Sequence, residues 1–361
     1  MRKLLLLLAV LTLAGPPAGA VSLYIVPDVP TDLAGTTYLP SDVVRYDAGV
    51  YTLGLALPTG TPVDALHRLL GGDWLFSVEA PTDLGGNTYQ SSDVIRFDGV
   101  NYSSLFCGGP VGVPAGSDVD AIVLKDDNPA RLAVSFDVQT TIGGNTYDPA
   151  DLVDFTRTGA GCNGWTVGSV SFDGSSTIPP VPVEDNVVAA DYRSPKHILA
   201  FDVPATLGAT YRRGDLVSWD GVSFALYEPL AGWPAASLVY ALTFPSDPGK
   251  IAYPPNAPLT ANRVTATTIQ LTWGPSCSVG AENYGIYEGV IGSWYSHTQI
   301  DCDDGGSNLT ELVTTGAGNR YYLVVPFNPN DEGSYGQNSA GAQRPVGTVA
   351  CLASQSPTAC P

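Results

Sequence analysis

The chain has 361 residues, with 35 Asp and Glu against 16 Lys and Arg, for a formal net charge of −19. So large an acidic excess argues against phosphate-backbone binding and anionic membrane surfaces, both of which need clustered cations. Gly and Pro make up about a fifth of the chain against a usual ~12%, which argues against long helices, while a hydrophobic fraction of 44% allows packed cores in about two domains.

Residues 1–20 have the form of a secretory leader: Arg2 and Lys3, an apolar run from Leu4 to Ala14, and Ala18-Gly19-Ala20 as the cleavage site. The mature chain is expected to begin at Val21. The apolar run is too short to cross a bilayer, which takes ~20 residues, and no later segment qualifies. The expected location is extracellular or periplasmic, with association to a bacterial-type cell surface as a further option. The six cysteines are Cys107, Cys162, Cys277, Cys302, Cys351 and Cys360. An even count in an oxidising compartment suggests disulfides. The expected pairing is sequential, Cys107 with Cys162, Cys277 with Cys302 and Cys351 with Cys360, because each bridge then stays inside one unit. No Cys-x-x-Cys occurs, which removes the usual redox, zinc-ribbon and c-type haem spacings.

From Val21 to about residue 246 the chain repeats itself. Pro30-Thr-Asp-Leu-Ala-Gly-Thr-Thr-Tyr38 with Asp42-Val-Val-Arg-Tyr46 returns as Pro81-Thr-Asp-Leu-Gly-Gly-Asn-Thr-Tyr89 with Asp93-Val-Ile-Arg-Phe97. It returns again as Thr140 to Tyr147 with Asp151-Leu-Val-Asp-Phe155, and as Thr206 to Tyr211 with Asp215-Leu-Val-Ser-Trp219. Each kernel follows an apolar run ending in an acid and precedes a hairpin signal such as Asp98-Gly99 or Asp220-Gly221, which favours tight primed turns. Each unit is therefore predicted as about four short strands with no helix.

The ends of the array predict a ring. The first copy opens at Ser22-Leu-Tyr-Ile-Val26, which aligns with the second strand of a unit. The missing first strand reappears after the fourth copy as Ser237-Leu-Val-Tyr-Ala-Leu-Thr-Phe244. A last segment that completes the first sheet protects the sheet edges, so residues 21–246 are expected to form a four-unit, β-propeller-like domain. The alternatives are an open row of β units, a pair of sandwiches, or a larger ring shared by two chains.

Residues 247–257 read as a Pro-rich linker. Residues 258–347 follow with Thr267-Thr-Ile-Gln-Leu-Thr-Trp273, Tyr284-Gly-Ile-Tyr287 and Tyr322-Leu-Val-Val-Pro-Phe-Asn328, then Glu332-Gly-Ser334 and Ser339. On these residues this quarter of the chain resembles a fibronectin type III domain. The resemblance implies a seven-stranded sandwich that spaces or binds and brings no catalytic residues. Cys277, Cys302 and the long Gly289 to His297 loop depart from the family. Residues 348–361 are expected as a tail clipped by Cys351 and Cys360. The whole is thus an all-β fold: a four-unit β-propeller-like repeat domain followed by a fibronectin type III-like β-sandwich.

The chemistry is sparse. His67, His197 and His297 sit in no metal-binding or hydrolase motif, and their expected roles are incidental. Asp42, Asp93, Asp151 and Asp215 share one register of the repeat, and Asp28, Glu79, Asp137 and Asp202 another. In a closed ring either set can hold Ca²⁺; the commoner role of Asp at such positions is to fix a turn through nearby backbone N–H groups. Arg213-Gly214-Asp215 is taken as a chance integrin-type tripeptide. Asp301, Asp303 and Asp304 form an acidic turn without EF-hand spacing. Tyr38, Tyr89, Tyr147 and Tyr211, with Trp74, Trp165, Trp219 and Trp233, are expected to pack between units, although exposed rings could stack on sugars. The expectation is a secreted, non-enzymatic binding or surface-assembly protein with a glycan or protein ligand, no nucleic acid partner and no cofactor beyond possible Ca²⁺. The rivals are a secreted carbohydrate-active hydrolase using paired carboxylates and a Ca²⁺-stabilised matrix protein.

Overall fold

The computed structural model describes residues 21–47, 49–69, 72–127, 130–193, 196–245, 248–251, 259–276, 278, 281, 283–303, 308–328, 330–338, 342–352 and 354–356. The expected leader, most of the linker, Cys277, Asp304, Ser339 and Cys360 lie outside them. No helix among the described residues is long and apolar enough to cross a membrane.

Four antiparallel four-stranded sheets stand round an axis. From the axis outward, the second blade runs Val63–Arg68, Trp74–Val78, Val94–Phe97 and Tyr102–Phe106. The third runs Val119–Asp127, Ala130–Phe136, Leu152–Arg157 and Trp165–Phe172, and the fourth Val187–Arg193, Lys196–Phe201, Leu216–Trp219 and Phe224–Glu228. The first blade is completed from the far end of the array: Val239–Thr243 pairs with Ser22–Pro27, Tyr24 opposite Thr243 and Ile25 opposite Leu242. Asp42–Asp47 and Val50–Ala56 follow outward. The closing strand of the predicted ring is therefore in place.

Three predicted details differ. Each unit carries, besides its four blade strands, a two-stranded hairpin made by the repeated kernel, as in Thr82–Leu84 with Asn87–Tyr89. The kernel residues next to Tyr89 and its counterparts are too short and polar to join a blade, and the Gly-Gly at their turn has positive φ (Gly85 58°, Gly86 85°). Helix is also present, as one α turn over Gly108–Val111 and a 3-10 turn over Gly174–Ser176. The Asp98-Gly99 hairpin closes through four residues rather than two, because Asp98 Oδ1 accepts from the backbone N–H groups of Val100 and Asn101 and widens the loop.

The cores lie between blades, one cluster for each adjacent pair. All four inner strands share a Val-x-Ala register, Val63/Ala65, Val119/Ala121, Val187/Ala189 and Val239/Ala241, each at most 1% exposed. Each Val belongs to the cluster shared with the preceding blade and each Ala to that shared with the following one. Small Ala side chains let neighbouring sheets close up where they are nearest the axis. Tyr38, Tyr89, Tyr147 and Tyr211 are buried in these clusters, as are Trp74, Trp165 and Trp233, with Trp219 packed at the margin of one, so the repeat aromatics are core rather than sugar platforms.

The C-terminal part holds two three-stranded sheets: Thr260–Arg263, Thr268–Thr272 and Thr310–Thr314 in one, and Ser293–Asp301, Asn283–Val290 and Arg320–Phe327 in the other. Its core includes Glu332, 0% exposed, whose carboxylate accepts from the Tyr287 and Tyr335 hydroxyls and from the N–H groups of Cys351 (2.9 Å) and Leu352 (3.2 Å). That saturation is what allows a carboxylate in an interior.

The cysteine pairing is corrected in part. Cys107–Cys162 is present, but Cys302 bonds Cys351 rather than Cys277, and Cys351 is thereby taken from Cys360. The tail is no separate clip: Gln299 N–H donates to Val349 O and Glu332 N–H to Ser354 O, so Val349 and Ser354 are tied to the C-terminal sheets and Cys351 lies beside Cys302.

Enlarging one axial Ala should wedge two blades apart. Ala189→Leu is expected to cost ~1–3 kcal/mol as overpacking, read as a lower denaturant midpoint with an unchanged slope; full wild-type stability would contradict the close inner packing.

Candidate functional site at the mouth of the ring

The first ring of repeat acids is spent on turns. Asp42, Asp93, Asp151 and Asp215 each accept, through Oδ2, the N–H of the residue three before, namely Leu39 (2.8 Å), Gln90 (3.0 Å), Asp148 (2.9 Å) and Arg212 (2.7 Å). In two blades the other oxygen also caps a helical turn, Asp93 Oδ1 taking the Gly108 N–H and Asp151 Oδ1 the Gly174 N–H, both at 3.1 Å. Glycine is required at those turns, since a Cβ on Gly108 would lie 2.4 Å from Ser92 O. These four candidate metal ligands stand one per blade and are not brought together.

The second ring, Asp28, Glu79, Asp137 and Asp202, stands where the inner strands begin. Asp28 Oδ1 accepts from Leu238 N–H (2.9 Å), Asp137 Oδ1 from Asp118 N–H (2.7 Å) and Asp202 Oδ1 from Asn186 N–H (2.9 Å). The second blade breaks the pattern: the corresponding residue is Pro62, which has no N–H, and the acid is Glu79.

Just inside that mouth every inner strand carries a β-bulge. Asp120, Val188 and Tyr240 are the extra residues of their strands, and Asp64 falls within the irregular stretch between Val63 and Leu66. A bulge re-aims a side chain out of the regular pleat, and here one carboxylate oxygen each of Asp64, Asp118 and Asp120 comes within 4.8 Å of the others. Asp64 is 0% and Asp120 3% exposed. Asn186 donates through Nδ2 to Asp120 Oδ2, and Asp118 Oδ1 accepts from Val119 N–H at 2.9 Å. Burial, followed by the neighbouring acids, pushes all three carboxyls up, Asp118 to about 8 and Asp64 and Asp120 well above the ordinary carboxylate range. The same carboxylates, after burial itself, raise the Tyr240 hydroxyl.

This cluster was not singled out from the sequence. The available signal was Val63-Asp64-Ala65 and Val119-Asp120-Ala121, an acid inside an otherwise apolar strand in two of four copies.

The remaining candidates are structural or superficial. His297 is buried in the C-terminal part, its Nε2 3.1 Å from Pro345 O and its Nδ1 3.1 Å from Tyr321 Oη. His197 packs between Phe172 and Tyr192, where burial and then Lys125 lower its pKa to about 4. Arg213-Gly214-Asp215 is fixed in place: Asp215 is 9% exposed and bound to Arg212, and a Cβ on Gly214 would meet Trp233. The acidic turn keeps Asp303 N–H on Asp301 Oδ1 at 3.0 Å.

The C-terminal part does offer an exposed tip. Where Asn283–Val290 turns into Ser293–Asp301, Ile291 in the turn is 51% exposed, and Trp294 and Tyr295 at the start of the second strand are 64% and 44% exposed. Tyr295 has φ 67°, a left-handed conformation that a bulky residue adopts rarely, and its hydroxyl receives Asn338 Nδ2 at 3.2 Å.

No protein-family model and no curated protein matches this sequence. Solved structures similar in part include YCF48 bound to D1 peptide (8% identity, TM-score 0.27, 66% of this chain and 57% of that one). Virginiamycin B lyase from Staphylococcus aureus is also similar (10%, 0.24, 82% and 71%), as is PorZ, a surface component of the type-IX secretion system of Porphyromonas gingivalis (9%, 0.29, 80% and 47%). With scores this low, the ring rests on its own strand pairing.

Two outcomes follow. Asp93→Ala, which strands the N–H groups of Gln90 and Gly108, should cost ~1–3 kcal/mol in chemical denaturation, and Asp93→Asn less. His197 titrates lower in the fold than its unfolded value of ~6.5, so its stabilising share is complete above that pH and fades as pH falls towards 4. His197→Leu should therefore gain ~1–3 kcal/mol relative to the wild type on going from pH 7.5 to 4.5; equal pH dependence in the two proteins would refute the burial account.

Proposed function

We propose that this chain is a secreted, non-enzymatic binding or surface-assembly component. In this reading a rigid four-bladed ring carries a fibronectin type III-like sandwich, and the exposed tip of that sandwich meets the ligand. The observation that carries it is the aromatic hairpin at Ile291, Trp294 and Tyr295: an apolar, uncharged tip with a strained tyrosine, on a protein whose net charge is −19. Aromatic rings held out in water supply large contact area at low entropic cost, and such patches mark recognition surfaces. Three strands in each sheet and a Trp273 and Tyr284 core support the sandwich reading.

Disulfides and the expected leader support an oxidising location. The non-enzymatic part rests on how the acids are used. The turn carboxylates are committed to backbone N–H groups, and Asp64 and Asp120 are too deeply buried to flank a sugar ring.

The test is a glycan array together with capture of extracellular proteins, using the wild-type chain and Trp294→Ala. Saturable binding that falls at least about tenfold in the variant, with an unchanged melting temperature, is expected. Turnover of chromogenic glycosides abolished by a single Asp substitution would instead establish the hydrolase, and binding indifferent to Trp294 would remove the tip from the reading.

A further inference from the structure

Among the buried polar groups that the turns and caps do not absorb, three oxygens belong to two residues at the ring mouth, Asp64 and Asn186. Asp64 is 0% exposed, yet neither of its carboxylate oxygens has a donor in hydrogen-bond geometry; its nearest polar neighbours are Asp118 in the same cluster and the Tyr240 hydroxyl. Asn186 Oδ1, in the residue that holds Asp120 through Nδ2, is likewise buried without a donor. Buried carboxylates are normally saturated with donors, as Glu332 is in the same chain. Where they are not, a cation is the usual partner.

The geometry is permissive for one kind of ion. The donors are hard oxygens, with no sulfur or imidazole among them. Three oxygens within 4.8 Å of one another fit on a single coordination sphere of radius ~2.3–2.6 Å, the Ca²⁺ range, and can overspan the ~2.0–2.1 Å sphere of Mg²⁺. Asp118 is the least buried of the three residues.

We propose that Asp64, Asp118 and Asp120 bind one Ca²⁺ at the mouth of the ring, with Asn186 Oδ1 as a neutral fourth oxygen and water completing the shell. The site is distinct from the repeat acids, which are spent on turns, and is independent of the aromatic tip. It ties three blades together, Asp64 from the second, Asp118 and Asp120 from the third and Asn186 preceding the inner strand of the fourth. The ion acts as a clamp that adds to the apolar packing and the few side-chain hydrogen bonds between blades, such as Ser77 to Val119 O and Ser135 to Val187 O, and it neutralises carboxylates that repel one another at close range.

The experiment uses the full chain stripped with EDTA and titrated with CaCl2, with MgCl2 at equal ionic strength as the control. Bound metal is counted by mass spectrometry and stability read by thermal melting. About one Ca²⁺ per chain is expected, with a melting temperature raised by several degrees at ~1 mM CaCl2 and little response to MgCl2. Asp120→Asn should weaken Ca²⁺ binding at least about tenfold. Asp64→Asn should melt above the wild type in EDTA, because a repelling charge is gone, yet gain almost nothing from CaCl2. Asp93→Asn, altered only in a turn, should keep the full response. Absence of stoichiometric Ca²⁺ on the wild-type chain at ~10 mM, or wild-type affinity in the Asp64 and Asp120 variants, overturns the proposal without depending on whether any one variant folds.

Discussion

The architecture depends on how closely four inner strands can approach one axis. Four sheets are few for a ring, so each must turn sharply against the next, and any bulk near the axis forces the blades apart. The shared Val-x-Ala register answers this constraint, with Val filling the contact behind each strand and Ala keeping the contact ahead of it shallow. Closure then follows from pairing Val239–Thr243 with Ser22–Pro27, which gives the first blade the same four strands as the others.

The same crowding explains why polar chemistry collects at the mouth. A strand held this close to three others cannot keep a regular pleat along its length, and each inner strand bulges at its second residue. In two copies that residue is apolar or aromatic, Val188 and Tyr240, and in two it is acidic, Asp64 and Asp120. Hydrophobic packing would be served by four valines. Two buried acids beside Asp118, in a chain already strongly negative, work against stability unless protons or a cation neutralise them. The repeat is thus least uniform where it carries its only unsatisfied charge among the described residues' axial positions.

What the sequence disclosed and what it hid divide along the same line. Features that every copy must satisfy locally were legible: Asp93 and its counterparts cap one recurring turn, Tyr89 and its counterparts fill one recurring gap, and the offset between Ser22 and Ser237 exposes the closure. The kernel hairpin was missed because three-residue strands such as Asn87–Tyr89 leave no periodicity to count. The axial cluster was missed because it arises from residues in different copies meeting in space, Asp64 with Asp118 and Asp120, and repeat alignment averages such differences away. The Cys302–Cys351 bond escaped for a related reason: it depends on the tail from Val349 folding back along Gln299, a long-range contact that spacing alone does not encode.

The junction between the ring and the C-terminal part bears on the closure itself. Ser22, on the strand that receives the closing segment, exchanges two hydrogen bonds with the Asn330 side chain, both 2.7 Å. Beside it, Arg193 at the end of the fourth blade's inner strand pairs with Asp331, and its guanidinium lies 4.7 Å from the Phe244 ring just past the closing strand. Two neighbouring residues of the C-terminal part, Asn330 and Asp331, therefore grip both sides of the place where the ring is joined without a covalent link. Asp331 is nearly buried there, which gives its pairing with Arg193 a local dielectric lower than at an exposed surface. A closing strand held only by its ladder can fray from its free end. Here the chain leaves that end and returns as a module docked across the same joint, so opening the ring would also require the module to let go.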